Sequence, residues 1–191
     1  MQNDRRHFLK VALTGAVWIG AGNNLQAFAG NNLPSAEKVR LRVAIASDGH
    51  FGQPETAYGA NHMEMVGWLN SEAADRGVDF AFINGDLYHD DTTFMGPVKK
   101  VWDTLAMPYY VSHGNHDKTD EQNWLKTWNN PWHYGFEKKD IAFVVLNTAD
   151  EKGGYISPDI DKTRQLLTQY QRQKLLFVFM HITPLNGRIT Q

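Results

Sequence analysis

Two hydrophobic rhythms take turns along this chain. Val39, Leu41, Val43 and Ile45 alternate with Arg40, Arg42 and Ala44, a period of two that predicts a strand with one partly exposed face. Residues 58–76 then carry Met65, Val66, Leu69 and Ala73 at helical spacing, and Gly77 supplies a C-terminal stop. Residues 78–83 and 108–111 are short apolar runs that read as strands, and between them Val98, Val101, Trp102 and Leu105 mark the apolar side of a short helix. Residues 141–146 are apolar almost throughout, as a strand buried on both faces requires. Ser157-Pro158-Asp159 opens a predicted helix over 157–173 with Leu166, Leu167 and Tyr170 on its apolar side, and 175–180 is the last strand. Strands alternating with helices predict an α/β domain with a largely parallel or mixed sheet.

The strand-like runs end in polar clusters. Asp48-Gly49-His50 follows the first, Gly85-Asp86 the second, Gly114-Asn115-His116-Asp117 the third, and Met180-His181 closes the last. Ligands of open α/β sheets bind beyond the carboxyl ends of the strands, so these four ends together form a candidate metal site. Oxygen and imidazole donors suit divalent Mn, Fe, Co, Ni or Zn. A two-metal centre needs a bridging group, which a carboxylate provides with its two oxygens. Asp86 is the candidate, because Gly85 lets the backbone turn sharply beside it. Each cluster alone is more often plain turn chemistry; it is their joint occurrence at four strand ends that points to metal.

Composition narrows the field. A chain of 191 residues supports one domain with a substantial core. Its formal net charge of -2, with no Arg/Lys stripe, argues for no nucleic-acid partner. The absence of cysteine excludes disulfides, thiolate metal sites and cysteine nucleophiles. Residues 1–29 read as a twin-arginine (Tat) type signal peptide: Arg5-Arg6-His7-Phe8-Leu9-Lys10, an apolar stretch over 11–22, and a small-x-small site at Ala27-Phe28-Ala29. Asp4 stands where Ser or Thr is usual in such signals. That signal implies the Tat export machinery as a partner and a periplasmic or otherwise extracytoplasmic location. Residues 30–38 read as a linker, and 39–191 as the functional domain.

In this order the four motifs resemble those of the calcineurin-like metallophosphoesterase family, over about residues 40–184. The resemblance implies an α/β/β/α sandwich of mixed sheets flanked by helices. It implies two divalent or trivalent metal ions (Mn, Fe or Zn), with Asp48 and His50 holding the first, Asn115 and His181 the second, and Asp86 bridging them. His116 would lie near the leaving group as acid or transition-state stabiliser. The implied reaction is hydrolysis of a phosphate mono- or diester by direct attack of metal-activated water, without a covalent phosphoenzyme. His89 stands where some members carry an Asp, while Asp90 and Asp91 read as exposed loop acids, with orientation of His116 as the alternative. His62, His113 and His133 are weaker candidates. The aromatic run Trp128, Trp132, Tyr134 and Phe136 reads as a core edge, with stacking on a base or aryl group as the alternative. The family's Gly-His-x-His does not follow His181, so the expectation is a domain truncated C-terminally relative to that pattern. Competing readings are a metal-binding but catalytically incomplete fragment, a membrane-anchored envelope binding protein, and metal-assisted hydrolysis of a non-phosphate ester or amide.

Overall fold

Two three-stranded sheets organise the structure, a computed structural model that describes residues 39–183. The signal-like segment, the linker to residue 38 and Pro184 lie outside the described residues. The first sheet contains β1 (Val43–Ala46), β2 (Phe80–Asn84) and β3 (Tyr109–Ser112), side by side in chain order and all parallel. The second contains β4 (Tyr134–Lys138), β5 (Ile141–Val145) and β6 (Leu175–Phe179), with β4 antiparallel and β6 parallel to β5. The helices are α1 (Tyr58–Arg76), α2 (Met95–Trp102), α3 (Glu121–Trp128) and α4 (Ile160–Gln169).

The hydrophobic clusters define four layers. Ile83 and Val111 of the first sheet pack with Val66 of α1, Val98 and Trp102 of α2, and Trp124 and Trp128 of α3. The opposite face sends Phe80 and Phe82 against Tyr134, Phe143 and Val145 of the second sheet. Tyr110 stacks on Phe136 with ring centroids 3.7 Å apart, and Phe82 on Phe179 at 3.8 Å. The far face of the second sheet packs Ala142 and Val144 against Leu166 of α4 and Tyr170 just beyond it. The result is a mixed α/β fold, helices outside and two sheets within, as the resemblance implies. Every residue of β5 is buried, which explains its uninterrupted apolar sequence.

Helix α1 has the predicted limits: Gly77 takes φ +71° and returns its N–H to the Ala73 carbonyl at 2.9 Å. Elsewhere the boundaries differ. The helix expected over 157–173 is only α4, because the Asp159 carboxylate accepts the N–H groups of Asp161 and Lys162 and so sets the start. In β1 both faces find partners: Ala44 packs beside Leu69 and Ala73 of α1, and Val43 joins the inter-sheet cluster. Ile45, expected to share the buried face of Val43, is instead 60% exposed although it pairs with Phe82. Helix α3 and strand β4 are elements the hydrophobic pattern did not predict. No helix among the described residues is long and apolar enough to cross a membrane.

Registers bring the motif loops together. Ala46 pairs with Ile83, and Asn84 with Ser112, so β1, β2 and β3 end nearly level and release their polar loops side by side. In the second sheet Val145 pairs with Phe179, which sets His181 two residues beyond the end of β6.

Candidate metal centre

Asn84, the last residue of β2, ties the two sheets together at this end. Its side chain donates to the Met180 carbonyl at 3.2 Å and accepts from the Ser112 hydroxyl at 3.0 Å. Its own carbonyl accepts from His181 Nδ1–H at 2.7 Å and from the Ser47 hydroxyl at 2.9 Å. The bond from Nδ1 orients the ring and turns His181 Nε2 toward Asp86.

That nitrogen lies 3.2 Å from Asp86 Oδ1. On the other side, His50 Nε2 lies 3.5 Å from Asp86 Oδ2. Asp86 is only 3% exposed, and its Oδ1 also accepts the His116 N–H at 2.9 Å. Burial works against ionisation of Asp86, but His181 and the His116 N–H outweigh it and hold the carboxyl below its ordinary range. Burial likewise opposes charge on His181, yet the Asp86 carboxylate and the Asn84 carbonyl raise its pKa above the ordinary histidine value.

The backbone is strained where these side chains leave it. Asp48, His50 and Asp86 take φ of +58°, +45° and +52°, a region worth roughly 1–3 kcal/mol of strain per non-glycine residue. The loops are stitched by Asp48 N–H to the Gly85 carbonyl at 3.2 Å and His50 N–H to the Asp86 carbonyl at 2.8 Å. Gly85, at φ +74°, also makes room: a Cβ there would collide with the His181 ring. At Gly114 a Cβ would collide with the backbone N and Oδ1 of Asp86.

Asp48, His50 and Asp86 offer one ligand atom each, all within 4.8 Å of one another. A second group with the same spacing is His50, His89 and His116. Of the residues singled out from sequence, Asp48, His50, Asp86, His116 and His181 converge at this end of the sheets, and Asn115 sits in the same loop between Gly114 and His116. Two carboxylates and two imidazoles at these separations are a donor set that fits divalent cations of intermediate hardness.

Asp117 is buried and carries a different duty. Its two oxygens accept from the Tyr88 and Gly114 N–H groups at 3.0 and 2.9 Å, which clamps the loop after β3 to the loop after β2. Burial pushes its carboxyl up to about 7 against those two donors. His113 is also buried and supports the same loop, its Nε2 lying 2.6 Å from the Asp117 carbonyl oxygen. His62 is buried beneath Gly49, edge-on to Phe51 at 5.1 Å. His133 accepts the Asp159 N–H at 3.4 Å, away from the site. Trp128, Tyr134 and Phe136 are core residues, the first of the two readings of that aromatic run.

Asp90 fits both readings drawn from the sequence, an exposed loop acid that also touches His116. It is half exposed, yet its Oδ1 accepts from His116 Nδ1–H at 2.9 Å and from Lys118 Nζ at 3.0 Å. Burial of its carboxyl is slight, and Lys118 and His116 outweigh it to hold Asp90 below the ordinary range. Lys118 and Asn84 were not singled out as functional; the only signal for either was its position beside a motif. His89 stacks on His116 at 4.8 Å with an interplanar angle of 13°.

The family profile described as calcineurin-like phosphoesterase matches residues 41–187. Among solved structures the chain is similar to a dimetal phosphatase from Danio rerio, at 14% identity over 68% of this chain and 52% of that one, with a TM-score of 0.49. The chain spans about half the length of that protein. No curated protein matches it significantly.

Proposed function

The chain belongs to the calcineurin-like phosphoesterase family, and on that premise we propose that it is an exported two-metal phosphoesterase, hydrolysing a phosphate mono- or diester with water. One observation carries this reading: buried Asp86 turns Oδ2 toward His50 at 3.5 Å and Oδ1 toward His181 at 3.2 Å. One carboxylate with an imidazole at each oxygen is the donor arrangement a bridging ligand needs.

Asp48 and His50 would hold one cation with Asp86, and Asn115 and His181 the other. When bound, two such cations supply Lewis-acid charge that neutralises a phosphoryl group and favours ionised water. The protein's own residues do the rest. Asn84 orients the His181 ring so that Nε2 faces Asp86. Asp90 holds His116 by Nδ1–H, which leaves Nε2 as the nitrogen that passes a proton to the departing oxygen. Lys118 helps keep Asp90 ionised and in place beside His116. Asp117 keeps the two motif loops in register beneath them.

The export half of the reading rests on the twin-arginine-like run at Arg5-Arg6 and the small-x-small site before Gly30. Hydrolysis of a generic aryl phosphate mono- and diester, with Mn²⁺ and then with chelator, tests the chemistry. Turnover that chelator abolishes is the expected outcome; no turnover of either ester with any divalent cation would overturn it. An exported product whose first residue lies near Gly30 supports the export reading, and an uncleaved N-terminus contradicts it.

A further inference from the structure

Gly49 sits between Asp48 and His50, the two residues assigned to one cation, and its amide differs from those around it. The N–H groups of Asp48, His50 and Phe51 donate to the carbonyls of Gly85, Asp86 and Leu87 at 3.2, 2.8 and 3.1 Å. The loop after β1 is thus laced to the loop after β2 on either side of Gly49. Among the described residues no acceptor takes the Gly49 N–H itself.

His62 of α1 carries the complementary group. It is 1% exposed, and its Nδ1–H donates to the Tyr58 carbonyl at 2.8 Å. Burial holds the ring below the ordinary histidine range, against a smaller pull from that carbonyl, and so keeps it neutral. The other nitrogen, Nε2, is left with a lone pair and, among the described residues, with no hydrogen-bond partner. It is aimed at the loop: a Cβ on Gly49 would meet Nε2 at 2.6 Å. Phe51 at 5.1 Å and Trp102 at 5.9 Å, both edge-on, hold the ring in that place. A buried nitrogen without a partner is costly, and an apolar side chain of similar size would avoid the cost. Packing alone therefore does not account for a histidine here, whereas an unmatched amide in the residue it touches does.

We propose that His62 is a positioning residue for the metal centre: its Nε2 is the acceptor for the Gly49 N–H, and this support holds Asp48 and His50 in place to bind a cation. The backbone it steadies is strained on both sides of Gly49, at φ +58° and +45°. The role rests on Asp48 and His50 as ligands, which belongs to the phosphoesterase reading, but not on hydrolysis.

The test titrates the metal-free full chain with Mn²⁺ by calorimetry, with a thermal melt before metal is added and aryl phosphate hydrolysis afterwards. His62→Leu fills the space without an acceptor, and His62→Gln keeps an amide oxygen near the place of Nε2. The leucine variant is expected to melt, without metal, no lower than wild type, because it buries no unpaired nitrogen. It should nevertheless bind Mn²⁺ at least about tenfold more weakly, and glutamine should recover most of that affinity. His62→Asn, whose amide reaches only as far as Nδ1, replaces leucine if that variant does not fold. Wild-type Mn²⁺ affinity in the leucine or asparagine variant overturns the proposal, as does equal weakening in the glutamine variant. Wild type that takes up no Mn²⁺ overturns it together with the metal-centre reading. Absence of hydrolysis in wild type with the affinity pattern intact would instead sink the phosphoesterase reading and leave the role of His62 standing.

Discussion

His181 Nε2 and Asp86 Oδ1 lie 3.2 Å apart, although they belong to strand ends of different sheets. The contact exists because Asn84 gathers β2, β3 and β6 at one point and holds the His181 ring from behind. Removing the ring leaves the Asn84 carbonyl and the buried carboxylate short of a partner. His181→Ala is therefore expected to weaken Mn²⁺ binding by more than about 10-fold and to lower the melting temperature of the metal-free protein. Calorimetric titration and a thermal melt measure both; unchanged affinity would show that His181 takes no part in binding.

Asp90 touches His116, so its expected effect runs through that imidazole. In Asp90→Asn the imidazole loses its charged partner, so kcat should fall by about 10²-fold while KM stays near its wild-type value. The fall should be steeper for an alkyl leaving group, which needs the proton, than for a nitrophenyl one, which does not. Equal losses for the two esters would remove the proton-transfer role.

Gly114 is a close-approach position. A methyl group there would collide with Asp86 itself, so Gly114→Ala must push the carboxylate out of place. Metal-dependent turnover is expected to drop by about 10²-fold or more, since small displacements of reacting groups are costly on that scale. Kinetics beside a denaturation curve separate this from simple unfolding.

Phe82 joins the two sheets by stacking on Phe179 and is fully buried. Phe82→Ala is expected to cost about 3–5 kcal/mol, a large share of the stability of a domain this size. Urea unfolding measures it, and a cost under ~1 kcal/mol would mean the inter-sheet aromatic layer is not the structural centre.

Asp79 carries a pH signature. Burial opposes its ionisation, but the Lys139 ammonium and the Arg42 N–H outweigh that and depress its pKa below 3.8. A depressed carboxyl stabilises the fold above its unfolded pKa, and that contribution fades as pH falls through the folded one. The stability gap between wild type and Asp79→Asn should thus be constant near neutrality and close progressively below about pH 3.8. A gap that persists at lower pH would contradict the pairing.

Much of this was legible because burial and periodicity agree. The 141–146 run is apolar for the reason seen in the fold: β5 has a sheet neighbour on each side and packed layers on both faces. Gly77 stopped α1 where its φ is positive. Strand β4 stayed hidden because its hairpin turn, Lys139-Asp140 at φ +49° and +63°, lacks the Asn-Gly chemistry that advertises such turns. Helix α3 stayed hidden because only Trp124 and Trp128 of its eight residues are buried, with polar residues filling most of the rest. At the site, the motif residues were visible individually, but their supporting contacts were not. Asp90 beside His116, His89 beside His50 and Asn84 behind His181 are pairings between loops, and no local spacing encodes them.

The central claim is that Asp86 joins two metal positions. Asp86→Asn keeps the size of the side chain but removes its negative charge and one of its two donor oxygens, so it should bind fewer Mn²⁺ ions per chain than wild type and lose aryl phosphate hydrolysis by about 10³-fold. Measuring Mn²⁺ stoichiometry and turnover on the same samples tests this directly. Two ions in wild type, fewer in the variant, and a parallel loss of activity is the predicted result. Equal stoichiometry with unchanged turnover would contradict it.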